Sequence, residues 1–189
     1  MKRKLIASLV GVVVAGSMVA STYGQGQVNF VNYTFGTEGL ITSYVTIEGS
    51  NAKIGSDFYA NLLYSLNGGS TFTLVPGSLT SFFGTTGEDA TSPGLFSGGT
   101  LTIADYVSGP ISFIVQAFNG ADYASSLAKG QSAVFTLPQL ATAANQLPIP
   151  DIMNNGAGLQ SFTVVVPEPS TFALAGLGSA ALLMFRRRK

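Results

Sequence analysis

Seven of the nine Lys and Arg residues sit at the two ends of the chain: Lys2, Arg3 and Lys4, then Arg186, Arg187, Arg188 and Lys189. Each cluster abuts an apolar run, Leu5 to Ala20 at one end and Phe172 to Phe185 at the other. Such brackets cannot enter a globular core without burying their cations, so the foldable part is what lies between them.

The first bracket has the three parts of a secretory signal: a charged start, a short apolar stretch, and the small residues of Ser21-Thr22-Tyr23-Gly24. Residues 1–24 are therefore expected to be a signal peptide. Cleavage after Gly24 places Thr22 and Gly24 at the small-residue positions, and cleavage after Gly26 fits nearly as well. A retained N-terminal anchor is the alternative, but the run falls short of the roughly 20 residues that a spanning helix needs. Signal peptidase and the secretion machinery are the implied partners.

At the other end, Val166-Pro167-Glu168-Pro169-Ser170-Thr171 precedes the apolar run and the four terminal cations. Pro167 and Pro169 lack an N–H and bar a strand from continuing, while Ser170 or Thr171 can cap a helix. A transmembrane helix is expected over 171–185, with Arg186, Arg187, Arg188 and Lys189 held cytoplasmic by the positive-inside rule. Lys2, Arg3 and Lys4 should stay on the same side, which leaves the body outside. Gly176-Leu177-Gly178-Ser179-Ala180-Ala181 matches a dinucleotide fingerprint, but it lies inside the apolar run with no strand before it, so small-residue helix packing explains it better.

This tail resembles the PEP-CTERM sorting signal: Pro-Glu-Pro, one apolar helix and a basic end, in order, over residues 166–189. The resemblance implies recognition of Pro167, Glu168 and Pro169 in the inner membrane by an exosortase, a membrane-embedded cysteine protease that cuts near this motif and passes the body outward. Val166, Ser170 and Thr171 complete the sorting and processing segment. The implied course is an inner-membrane-anchored precursor, then a cell-surface or extracellular protein. An ordinary tail-anchored protein is the alternative and would keep its helix.

Without the two ends, the neutral formal charge disappears. Between Gln25 and Val166 the acids are Glu38, Glu48, Asp57, Glu88, Asp89, Asp105, Asp122 and Asp151, against Lys53 and Lys129, a net charge of −6. An acidic body with no basic patch is a poor partner for nucleic acid or for anionic lipid. Cysteine and histidine are absent. Disulfides, thiolate chemistry, a Ser-His-Asp triad and His-ligated zinc are thereby excluded.

The body, residues 25–165, is about 140 residues long, enough for one core. Alternation of period two dominates it. Phe58, Ala60, Leu62, Tyr64 and Leu66 fall on one face of a strand. Ile111, Phe113, Val115 and Ala117 fall on one face of another, with Ile114 and Phe118 opposite, as in a central strand covered on both sides. Shorter inward pairs are Val28 with Phe30, Val45 with Ile47, Phe72 with Leu74, Leu101 with Ile103, Phe135 with Leu137, and Phe162 with Val164. Asn67-Gly68-Gly69 and Asn119-Gly120 supply the positive φ of tight hairpins. Residues 85–93 read as an exposed loop, and Leu140 to Gln146 as a helical turn or two between Pro138 and Pro148. The expected fold is all-β, a single antiparallel β-sandwich of jelly-roll or immunoglobulin-like type.

Catalytic signals are weak. Ser126-Leu127-Ala128-Lys129 has Ser-x-x-Lys spacing but lacks the accompanying motifs. Two of the eight acids could serve glycoside hydrolysis only at a separation that sequence does not measure. Glu88, Asp89, Asp105 and Asp122 are hard oxygen ligands, yet no Asp-x-Asp-x-Asp run organises them for calcium. Tyr44, Tyr59, Tyr106 and Tyr123 could stack on sugars or pack in the core. The reading is an exported, non-enzymatic surface or extracellular-matrix protein with no cofactor and exopolysaccharide as a candidate partner. A glycan-binding sandwich module is the alternative, and a carboxylate-dependent hydrolase the third.

Overall fold

The computed structural model describes residues 25–36, 39–84 and 92–167. The expected signal peptide, the loop acids Glu88 and Asp89, the helix at 171–185 and the basic end lie outside the described residues.

Within them the chain is all-β. Its strands are β1 (Gly26–Val31), β2 (Tyr33–Gly36), β3 (Gly39–Thr42), β4 (Val45–Ile47), β5 (Tyr59–Ser65), β6 (Thr73–Leu74), β7 (Thr80–Ser81), β8 (Ser97–Ile103), β9 (Ile111–Phe118), β10 (Lys129–Gln131), β11 (Phe135–Leu137) and β12 (Phe162–Val164).

The longest alternating runs form the centre. Antiparallel β5 and β9 pair from Tyr59 opposite Phe118 to Ser65 opposite Ser112, and β9 receives β10 and β11 on its other edge. This is the central strand that the two-faced pattern predicted. Between β10 and β11 the ladder breaks at Ser132, whose hydroxyl accepts the Val115 N–H at 3.0 Å in place of a carbonyl. The break costs no buried donor its partner.

β1 pairs with β8, with a bulge between Asn29 and Val31. Its other edge is covered by irregular chain: Gln27 N–H donates to the Ala141 carbonyl and Asn29 N–H to that of Pro150, both at 2.8 Å. Val28, Phe30, Leu101 and Ile103 enter the same core as Ala60, Leu62, Phe113 and Val115. The Phe96 ring lies 4.6 Å from Phe30 and 5.2 Å from Phe82, centroid to centroid. Each such buried side chain contributes roughly 2–3 kcal/mol by leaving water. With no disulfide available, burial and hydrogen bonding hold the domain.

Two buried polar side chains tie loops to this core. Asn32 donates to the carbonyls of Ser43 and Gly94 at 2.8 and 2.9 Å and accepts from Phe96 N–H at 2.7 Å. The Tyr106 hydroxyl donates to the Gly109 carbonyl at 2.7 Å and accepts the Leu140 N–H at 2.9 Å. Of the four tyrosines weighed for sugar stacking, Tyr106 is thus a core residue.

Several expectations are corrected. The sheets are not wholly antiparallel: β12 runs parallel to β4, Phe162 opposite Val45 and Val164 opposite Ile47. Phe72 and Leu74 are not an inward pair, since Leu74 is exposed and Val75 takes the buried place. Leu66 is likewise exposed, because β5 ends at Ser65 and the chain turns. Gly68 and Gly69 have the positive φ expected, but Asn119-Gly120 opens a loop reaching Lys129 rather than a tight hairpin. Residues 140–146 make one helical turn, closed by Gln146 N–H to the Thr142 carbonyl at 3.0 Å.

Candidate functional site

The tail leaves the body at a defined place. β12 is paired with β4 on one side, and just past it Val165 meets Lys129 of β10: each N–H donates to the other's carbonyl at 3.1 Å. Two strands from distant parts of the chain therefore hold the last body residues. Among the described residues Val165 is the final one with a ladder bond, and Val166 and Pro167 are exposed directly after it. Pro167 has no N–H with which to extend the ladder.

Gly130 makes this approach close. A side chain there would run into the Thr163 carbonyl and come within 2.9 Å of the Val164 Cα. Glycine inside a strand commonly marks a close backbone approach. That signal in Lys129-Gly130-Gln131 was the one available in the sequence for the junction's partner strand, and sequence reasoning passed over it along with Val165 itself.

Beside the junction lies the loop from Asn119 to Ala128. Asp122 caps it, accepting the Ser125 N–H at 2.9 Å and the Ser125 hydroxyl at 2.8 Å. The Ser125 amide, then its hydroxyl, hold the Asp122 carboxyl below the usual aspartate range. The Lys129 ammonium donates to the carbonyls of Tyr123 and Ala124 at 3.1 and 2.8 Å and stands 5.3 Å from the Tyr123 ring centre. Burial pushes the Tyr123 phenol up. Tyr123 meets the Phe118 ring edge-on at 6.0 Å, and Tyr59 flanks the same ring at 6.4 Å.

These bonds decide the Ser-x-x-Lys question for the residues concerned. The Ser126 hydroxyl donates to the Asp122 carbonyl at 2.6 Å, whereas the Lys129 amine is turned to Tyr123 and Ala124. Lys53, the other body cation, sits 3.4 Å above the Tyr44 ring, which removes that tyrosine as an open platform. The Tyr44 phenol is lowered, first by a hydrogen bond from Thr42 and further by Lys53.

The described acids stay apart. Glu48, Asp57 and Asp105 are exposed at separate turns, and Asp151 accepts the Thr34 hydroxyl at 2.6 Å and the Asn154 N–H at 2.8 Å. Among the described residues no three carboxylates gather as a metal site would require. Among those residues, too, no helix is long and apolar enough to cross a membrane. Of the sorting segment, Val166 and Pro167 are placed as above; Glu168, Pro169, Ser170, Thr171 and the anchor Arg186, Arg187, Arg188 and Lys189 lie outside the described residues.

No curated protein and no solved structure matches the chain. A family model does match one end of it: the PEP-CTERM protein-sorting motif, over residues 165–189. Its first matched residue is Val165, where the body's last ladder bond falls. The chain therefore carries a PEP-CTERM protein-sorting motif, the mark of an exported protein sorted by an exosortase.

Proposed function

We propose that residues 166–189 are a removable sorting tail and that the body, residues 25–165, is delivered as a non-enzymatic surface or extracellular-matrix protein. In this reading residues 1–24 direct export, a helix over 171–185 anchors the precursor in the inner membrane, and processing near Pro167, Glu168 and Pro169 frees the body. The observation that carries it is the coincidence at Val165: the sorting motif begins where, among the described residues, the body's ladder bonding ends. A cut beyond Pro167 would leave every strand among the described residues intact.

The body's role is read from its chemistry. It lacks histidine and cysteine, and its two lysines are committed to tyrosine rings and, for Lys129, to carbonyls as well. One core joins the six-stranded sheet to the β1 and β8 pair, which supports a two-layer sandwich. The glycan-binding alternative would draw on Tyr59 and Tyr123, partly open at one end of the large sheet. Failure of the purified body to be retained on any of a panel of matrix polysaccharides would sink it. The hydrolase has less support, because the described acids sit on separate segments.

The sorting reading is tested by intact-mass analysis of the protein recovered outside the cell. Loss of everything beyond roughly Pro167 is expected. Arg186 to Lys189 still attached to mature extracellular material would refute it.

A further inference from the structure

Between the last ladder residue, Val165, and the expected start of the membrane helix at Thr171 lie five residues, two of them proline. Such a segment spans about 16–18 Å at full extension. The headgroup layer takes roughly 5–8 Å of that. A body of this size has a radius of gyration of about 14 Å, so the tether is too short to let it turn freely above the bilayer. Whatever surrounds Val165 must face the lipid.

That end of the body has a particular composition. Val165 is 53% exposed and Val166 39%. Leu127, two residues before Lys129 and on the side to which the chain continues past Val165, is 80% exposed. Tyr59 pairs with Phe118 at the same end of the large sheet, 36% exposed, and Tyr123 packs against Phe118 from the loop. Aliphatic residues flanked by tyrosines are what the membrane–water boundary favours. Of the charges at this end, Asp122 is held by Ser125 and Lys129 by backbone carbonyls, while Asp57, two residues before Tyr59, is exposed and can stay in water at the rim.

The geometry points to a docking surface for a lipid bilayer, formed by Leu127, Val165 and Val166 with Tyr59 and Tyr123, on which the body rests while its tail is attached. The contact rests on the sorting reading above, and the tether makes it effectively unimolecular. The tether supplies a high effective concentration, so a surface too weak to bind membranes alone is engaged in the precursor and released with the tail.

The chain has no cysteine, so one introduced cysteine carries one label. Leu127→Cys and Val107→Cys are made in the full chain, which is exported in a host lacking exosortase and reconstituted into phosphatidylcholine vesicles. Both sites are highly exposed, so neither change disturbs the core. Val107 lies beyond the Ile111 end of β9, about 25 Å from the Phe118 end. An environment-sensitive dye at Leu127 should shift to the blue and be quenched by spin-labelled lipid, while the same dye at Val107 stays water-like. If the protein floats with the vesicles but the Leu127 dye stays in water, or both dyes respond alike, the docking surface is wrong and the anchor stands. If the protein does not float with the vesicles, the anchor reading fails and the docking surface with it.

Discussion

Asn32 and Phe96 are joined twice: the Asn32 Oδ1 accepts the Phe96 N–H at 2.7 Å, and the Asn32 N–H donates to the Phe96 carbonyl at 3.4 Å. The same amide side chain holds Ser43 and Gly94, so one residue between β1 and β2 fixes two passing segments, the chain at Ser43 and that from Gly94 to Phe96. Asn32→Leu keeps the volume and strands one buried donor and two acceptors. A loss of about 3 kcal/mol is expected, read as a lower urea midpoint at unchanged slope.

Gly130→Val should loosen the junction more than the core. The new side chain would push β12 away from β10, at a cost of roughly 1–3 kcal/mol. Hydrogen exchange should then show faster exchange at the amides of Val165 and Lys129, which bond each other, with β5 and β9 still protected.

Asp122 gives the loop from Asn119 to Ala128 an acid sensitivity. Its folded-state pKa is depressed, so its contribution is present above the unfolded aspartate value and is lost as pH falls through the folded one. Chemical shifts of Ser125 and Tyr123 should move in that acidic window in the native protein, and should not in Asp122→Asn.

If residues 1–24 are a signal peptide, cleavage is expected after Gly24. Gly26 opens β1 opposite Ile103, and Gln27 N–H holds Ala141, so a cut after Gly26 would remove a ladder residue. Mass analysis of the mature protein should find Gln25 at its N-terminus; Gln27 there would overturn this choice.

Where two-fold alternation was long, the sequence was readable. β9 and β5 needed only Ile111 to Phe118 and Ala60 to Tyr64 to be recognised, because a strand with neighbours on both edges must hide residues at a fixed period. Leu74 and Leu66 misled because the strands there are two residues long or already over, and an apolar residue at a sheet's rim costs little to expose. Alternation marked Val45 with Ile47 and Phe162 with Val164 as strands, but their parallel partnership left no trace, since the partners of three-residue strands are chosen by the whole fold. The sorting segment was legible because its parts are contiguous, whereas Lys129 and Gly130, which receive the strand just ahead of it, lie far upstream.

That late pairing also sets an order of events. β4 waits for a partner that follows it by roughly 120 residues, and loop closure on that scale makes this contact among the slowest to form. During synthesis and export the partner arrives last of all the strands, immediately ahead of the apolar tail. The body thus reaches its final form only when the sorting segment is next to emerge, so on the proposed sorting reading completion of folding coincides with arrival of the segment to be processed.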